Sequence, residues 1–268
     1  MREPPGAAPA GRPPLDDATL CGIEDAGLNA SAPREQWWLD GWLVRLSPGK
    51  AKRARCVNAL APGRLPLADK LQQVRALYRQ AALPFVVRVT PFTVPVDLED
   101  GLRARGMRPF DPTQVMALFL DEPVSAPLGG AALRLEPVDA GTFADFVGAC
   151  RQSPPEQRRA HALRMAASPV PYRGWLLRQG QDIVACGQYA REGDRVGLYD
   201  ILTLPAWRGR GFASVLCRWL LEQARAEGAA LAYLQVDVDN APARAVYRRL
   251  GFVDAYRYHY LADDPAAA

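Results

Sequence analysis

No lysine follows Lys70, and Lys50, Lys52 and Lys70 are the only lysines among 33 basic residues. A Walker-type phosphate loop needs Gly-Lys-Ser/Thr, so that class of nucleotide site is excluded. Histidine is as scarce. His161 and His259 share no ligand spacing, which leaves no histidine-based metal centre. The cysteines, Cys21, Cys56, Cys150, Cys186 and Cys217, are odd in number and contain no C-x-x-C pair. Neither zinc nor a disulfide framework is expected, and a reducing, cytoplasmic setting is. No apolar run reaches the ~20 residues needed to cross a bilayer, and Arg2 has no apolar segment behind it. The expectation is a soluble protein without membrane contact or a visible export signal. No basic block is interleaved with aromatics, so nucleic acid has no support as a partner. The net charge of +4 is modest, and the arginine excess carries no argument by itself.

What the chain does have is room for a core. Its 268 residues are 49% hydrophobic and 23% charged, enough for one large domain or two of about 100–150 residues. The pattern around which it is organised is Tyr199-Asp-Ile-Leu-Thr-Leu-Pro-Ala-Trp-Arg-Gly-Arg-Gly-Phe-Ala213. A strand up to Leu204 meets a breaker at Pro205, then a short basic glycine-bearing loop. A helix follows, because Phe212, Val215, Leu216, Trp219, Leu220 and Ala224 recur at helical spacing. The segment Arg208, Gly209, Arg210, Gly211, Phe212 and Ala213 therefore lies over a helix N-terminus. Unpaired N–H groups and the positive dipole end favour an anion there. The glycines let the backbone approach it, and the two arginines supply charged donors. A pyrophosphate fits that description. The dinucleotide fingerprint does not, because Ser214 stands where its third glycine belongs.

The remaining pattern, Arg-x-x-Gly-x-Ala, resembles the acyl-CoA loop of the GCN5-related N-acetyltransferases. Further on, the strand Leu231–Val238 leads into Asn240-Ala-Pro-Ala-Arg-Ala-Val-Tyr247 and then Gly251-Phe252. This is similar to that family's second signature, Asn-x-x-Ala, Tyr, Gly-Phe. The resemblance covers roughly the C-terminal half and implies acetyl-CoA as co-substrate, no metal, and direct transfer to an amine in a ternary complex. The acceptor would be a small-molecule or peptide amine, and a homodimer is left open. The alternative is a non-catalytic acyl-CoA-binding regulator. The resemblance also implies contacts from Leu202, Thr203 and Leu204, with an oxyanion donor near Leu202, and a pantetheine contact from Asn240. Tyr247 would protonate the departing thiolate, against a plain packing role.

Strand alternation puts Val196, Leu198, Asp200, Leu202 and Leu204 on one face, with Asp200 its only polar member. Asp200 is the candidate general base, or else a structural partner of an arginine. Tyr256, Tyr258 and Tyr260 alternate on one strand, as pocket lining or as strand aromatics. Trp37, Trp38 and Trp42 read as packing for the first half, and Cys217 as a small core residue.

The chain also matches itself. Shifted by 145 positions, Ala68 to Met107 falls on Ala213 to Phe252 without a gap, helix on helix and strand on strand. The chemistry does not repeat: Arg208, Gly209 and Gly211 fall on Gly63, Arg64 and Pro66, Asn240 on Pro95, and Tyr247 on Leu102. The fold expected is α+β/α/β: two tandem lobes, each a mixed, mostly antiparallel sheet flanked by helices. Residues 1–14 read as a disordered tail, 15–121 as a degenerate first lobe, 122–130 as a linker and 131–263 as the catalytic domain. Within the first lobe, Ser47-Pro-Gly-Lys50 is the expected hairpin turn.

Overall fold

A computed structural model describes residues 15–124 and 133–268. The proposed tail and most of the proposed linker lie outside these residues. The first half runs α1 (Asp17–Ala30), β1 (Glu35–Leu39), β2 (Trp42–Leu46), β3 (Val57–Ala59), α2 (Leu67–Gln80), β4 (Val86–Val89), α3 (Leu98–Arg103) and β5 (Arg108–Phe119). The second runs β6 (Leu133–Val138), α4 (Ala140–Cys150), α5 (Pro155–Ala166), β7 (Tyr172–Gln179), β8 (Asp182–Glu192) and β9 (Arg195–Thr203). It continues with α6 (Phe212–Ala226), β10 (Leu231–Asp237), α7 (Ala241–Arg249) and β11 (Val253–Ala262). The 145-residue offset sets α2 on α6, β4 on β10, α3 on α7 and β5 on β11.

Local chemistry explains the boundaries. Asp16 caps α1 by accepting from the Thr19 N–H at 2.8 Å, and Asp139 caps α4 through the Thr142 N–H at 2.9 Å. Helix α2 buries Leu71, Val74 and Tyr78 on one stripe, and α6 buries Leu216, Cys217, Leu220, Leu221 and Ala224. Ser47-Pro-Gly-Lys50 lies in the connection between β2 and β3, which pair antiparallel as expected, but a second turn at Asp40-Gly41, with φ of 44° and 84°, splits the preceding segment into β1 and β2. Those two left-handed residues match the twist of a tight hairpin, which Asp-Gly provides at little cost.

The strands do not form two separate sheets. In the described residues they join into one sheet of order β1-β2-β3-β4-β11-β5-β10-β9-β8-β7-β6. The last strand of each half has crossed over: β11 lies antiparallel to β4 of the first half, and β5 lies antiparallel to β10 of the second. The two exchanged strands pair with each other along the middle of the sheet. One core, including Leu198, Leu216, Leu220, Phe212 and Tyr247, lies on the α6 side. A second, around Trp42, Val44, Leu71 and Leu102, serves the first half. Trp42 is buried there and Trp37 packs against it, whereas Trp38 is 60% exposed. Tyr256, Tyr258 and Tyr260 belong to a third buried cluster rather than to an open pocket.

Candidate functional site

The site begins where two parallel strands part. β9 and β10 pair from Arg195↔Leu231 to Leu198↔Leu234. Beyond that point β9 continues to Thr203 and β10 to Asp237 without pairing. A bulge explains the divergence. On the other edge of β9, Tyr199 faces Gln188 but Leu202 faces Cys186, so two residues, Asp200 and Ile201, oppose Gly187 alone. Asp200 takes φ of 52° to make this turn. A Cβ on Gly187 would stand 2.6 Å from Ile201 Cδ1, so the bulge closes only over a glycine. The bulge also breaks the simple alternation expected from the sequence. Ile201, not Asp200, joins Val196 and Leu198 against the α6-side core.

The open edge of β9 carries unsatisfied polar groups. The Leu204 N–H is spent on the Val184 carbonyl at 3.0 Å, which by strand alternation turns the peptide groups of Thr203 toward the open edge. The Thr203 hydroxyl is buried and has no partner among the described residues. The open donors at this edge are therefore those of Thr203, its N–H and its hydroxyl, between Leu202 and Leu204.

The glycine-bearing loop follows directly. Gly209 and Gly211 have φ of 75° and 82°, and nothing lies within 4 Å of the place a Cβ would take. Gly211 is the N-cap of α6 and offers no side-chain cap, so the first N–H groups of the helix stay open toward that space. Phe212 turns inward to anchor the first turn, at 7% exposure. Arg208 is exposed and its Nε lies 3.4 Å from the Thr203 carbonyl, while Arg210 stacks 4.9 Å over the Trp207 ring. Ala213 sits one position into the helix.

After β10, Asn240 caps α7 by accepting from the Ala243 N–H at 3.2 Å, which leaves its amide N–H groups exposed. One face of α7 carries Tyr247 into the core beside Phe252, 6.0 Å away edge to face. Its hydroxyl makes no hydrogen bond among the described residues, and burial pushes its pKa upward. Cys217 lies fully buried on α6 with its thiol pushed up to about 12, which fits a core residue and not a nucleophile.

Asp200 points away from that core into a cavity of about 580 Å³ whose walls come from both halves of the chain. Burial raises the Asp200 pKa, but Arg151 and His161 outweigh it and hold the carboxyl down at about 2. Arg151 forms an ion pair with it, His161 Nε2 lies 3.5 Å away, and the Gln188 amide donates at 2.7 Å. Of the two roles expected for Asp200 from the sequence, general base and arginine partner, Arg151 supplies the partner for the second. No motif surrounds His161, which α5 delivers to a carboxylate on a distant strand. Burial lowers its pKa below the ordinary 6.5, so the ring is neutral near pH 7.

The first half lacks the equivalent cradle for a specific reason. The loop at the counterpart position is already filled by the Asp40 carboxylate, which accepts from the Arg64 N–H at 2.8 and 2.9 Å and from the Leu65 N–H at 2.8 Å. Lys70 Nζ sits 3.0 Å from the same group. The anion engaging those donors is part of the protein.

Parted parallel strands beside an uncapped, glycine-bearing helix N-terminus leave backbone N–H donors open to an anion. Residues 142–252 match the acetyltransferase (GNAT) family model. The chain is 23% identical over 221 residues to an uncharacterized N-acetyltransferase, YobR, of Bacillus subtilis (strain 168), covering 82% of this chain and 88% of that one. A GCN5-related N-acetyltransferase from Kribbella flavida superposes with a TM-score of 0.68 at 19% identity, over 92% of this chain and 95% of that one. A tandem GNAT protein from the clavulanic acid biosynthesis pathway gives 0.62 at 16% identity, over 93% and 96%. Residues 142–252 are thus similar to the GNAT acetyltransferases, and the chain as a whole has the fold of a GCN5-related N-acetyltransferase and of a tandem GNAT protein. Enzymes of that family use acetyl-CoA. Among the described residues no His/Cys/Asp/Glu group could hold a metal, and no helix is long and apolar enough to cross a membrane.

Proposed function

We propose that the protein transfers an acetyl group from acetyl-CoA directly to an amine nitrogen, in a ternary complex, at the cleft between β9 and β10. The observation that carries this reading is the parting of these strands after Leu198 and Leu234 beside the uncapped N-terminus of α6. The thioester supplies the acyl group. The N–H groups of Gly209 to Ala213, with Arg208 and Arg210, would hold the diphosphate. The open peptide edge at Leu202 to Leu204, the Thr203 hydroxyl and the Asn240 amide would hold the pantetheine and offer the oxyanion a donor.

Proton traffic is assigned to two sides of the cleft. On the core side Tyr247 keeps an unpartnered phenol, protonated well above neutral pH, ready to donate to a leaving thiolate. A protein that only binds acyl-CoA has no use for such a group, so the regulator reading is set aside. On the cavity side Asp200, held at about 2, is a weak proton acceptor. It serves best by orienting neutral His161, which takes the ammonium proton directly or through water.

The segment 15–121 is read as a degenerate lobe of the same fold, and 131–263 as the catalytic one. The Asp40 carboxylate filling the first loop supports a single acetyl-CoA site per chain. Release of free CoA thiol that depends on an added amine tests the reading. Acetyl-CoA binding without any amine-dependent release from a broad amine panel would return the protein to the regulator class.

A further inference from the structure

The cavity in front of Asp200 has a charge pattern that selects the acceptor. Five cations line it: Lys50 and Arg53 from the first half, and Arg151, Arg158 and Arg164 from α4, α5 and the turn between them. Among the described residues only Arg151 of these five has a carboxylate partner, Asp200. Arg158 donates to the Ser153 carbonyl at 2.7 Å, and Arg164 to the Ala30 carbonyl at 3.1 Å. Arg53 reaches the Tyr258 hydroxyl at 3.1 Å, and its Nε is buried with no partner among the described residues. Lys50 is exposed at the rim and forms no ion pair among them.

The carboxylates are fewer and mostly engaged. Asp200 faces Arg151 and His161, and Asp111 pairs with Lys52 at 3.1 Å. Asp237, at the end of β10, accepts only from the Asp239 N–H at 2.8 Å. With His161 neutral the lining carries two more positive charges than negative ones. A plain ammonium ion is repelled by such a wall. An amine with its own anionic group is attracted, because one end satisfies the arginines and the other meets Asp237 and His161.

Resting on the acetyltransferase reading above, we propose that the acceptor is a small zwitterionic amine, carrying a carboxylate or a phosphate, seated between the two halves. Its anionic group lies against Arg53 and Lys50, and its nitrogen lies toward His161 and Asp237. A cavity of about 580 Å³ suits a small molecule better than a protein chain. The first half is then a wall of the acceptor site and sets specificity, although it binds no acetyl-CoA.

The experiment uses the full chain with matched probes: amino acids against their α-carboxamides, and O-phosphoethanolamine against ethanolamine. Affinity is read by calorimetry with and without CoA, and transfer by thiol release. At least one acid or phosphate should exceed its neutral match by about tenfold or more, and added salt should erode the difference. Lys50→Gln, at the exposed rim, and Arg53→Gln should each remove most of that preference while leaving acetyl-CoA affinity unchanged. If carboxylates win, the anion is a carboxylate, and if O-phosphoethanolamine wins, a phosphate; either supports the proposal. It is overturned if no charged probe outdoes its neutral match, with or without turnover, or if the preference survives both substitutions. Acetylation of neutral amines alone would overturn it and leave the acetyltransferase reading standing. Failure of acetyl-CoA to bind would instead count against that reading, while the probe affinities still decide this one.

Discussion

Thr113 and Tyr258 face each other across the β5–β11 pair, and they are separated by the same 145 residues that relate the two halves. Each is thus paired with its own counterpart, and the pair marks a pseudo-twofold axis through the middle of the sheet. Bulges fall on both sides of it, between Asp254 and Tyr256 and between Tyr258 and Tyr260. The halves are joined by exchange of their last strands rather than by contact alone. Residues 133–268 expressed alone keep β11 but lose β5 from its place between β10 and β11. That fragment should be aggregated or largely unfolded, as followed by circular dichroism and size-exclusion chromatography. A monomeric, cooperatively folding fragment would show that the exchange is dispensable.

The His161–Asp200 pair sets a pH dependence. Burial lowers the His161 pKa below 6.5, so the neutral ring persists to lower pH in the folded state. The unfolded chain takes that proton first, so this contribution to stability is complete above about 6.5 and declines as pH falls below it. Asp200 works at a lower pH: its contribution is complete above 3.8 and lost as pH falls through about 2. The acid limb of kcat/KM should lie below 6.5 and vanish in His161→Gln. Because the Asp200 charge raises the His161 pKa, Asp200→Asn should move that limb further toward acid. An unchanged limb in both variants would remove His161 from the proton path.

The anion loop is tested by two substitutions. Arg208→Ala deletes an exposed charged donor and should weaken acetyl-CoA by ~1.5–3 kcal/mol. Gly211→Val forces a β-branched residue to φ of 82°, where strain adds to loss of the close backbone approach. It should weaken acetyl-CoA more than Arg208→Ala. Calorimetric titration of both against wild type gives the comparison, and equal affinities would move the diphosphate elsewhere.

Tyr247 and its counterpart Leu102 separate catalysis from packing. Tyr247→Phe keeps the ring against Phe252 and removes the hydroxyl, so kcat should fall ~10²–10⁴-fold with little change in acetyl-CoA affinity. Leu102 is fully buried, and Leu102→Ala should cost ~2–5 kcal/mol of stability with kcat nearly preserved in the folded fraction. Thermal denaturation alongside steady-state rates distinguishes the two.

The sequence was most readable where local chemistry decides the structure. The loop from Arg208 to Ala213, the α6 stripe and the element-by-element repeat all rest on neighbours a few residues apart. Long-range pairing was not readable. The repeat predicts β5 and β11 but not that each leaves its own half, because strand edges from either half are equally competent to pair. Alternation misplaced Asp200, since a bulge opposite Gly187 depends on Ile201 packing from across the sheet. The Asp40-Gly41 turn was hidden by the stronger punctuation of Ser47-Pro-Gly-Lys50. Pro109, Pro112 and the left-handed Asp111 break the strand pattern at the start of β5, which shows only in its pairing with β11. His161 has no motif around it, and its importance comes only from the carboxylate that folding brings within 3.5 Å.

Initial rates with acetyl-CoA and an accepted amine both varied test the central claim most directly. Direct transfer between two substrates held together in the β9–β10 cleft predicts double-reciprocal lines that intersect, with thiol release strictly dependent on the amine. Parallel lines, with an acetylated protein trapped when the amine is withheld, would mean that the acetyl group first passes to the enzyme, and would contradict the account.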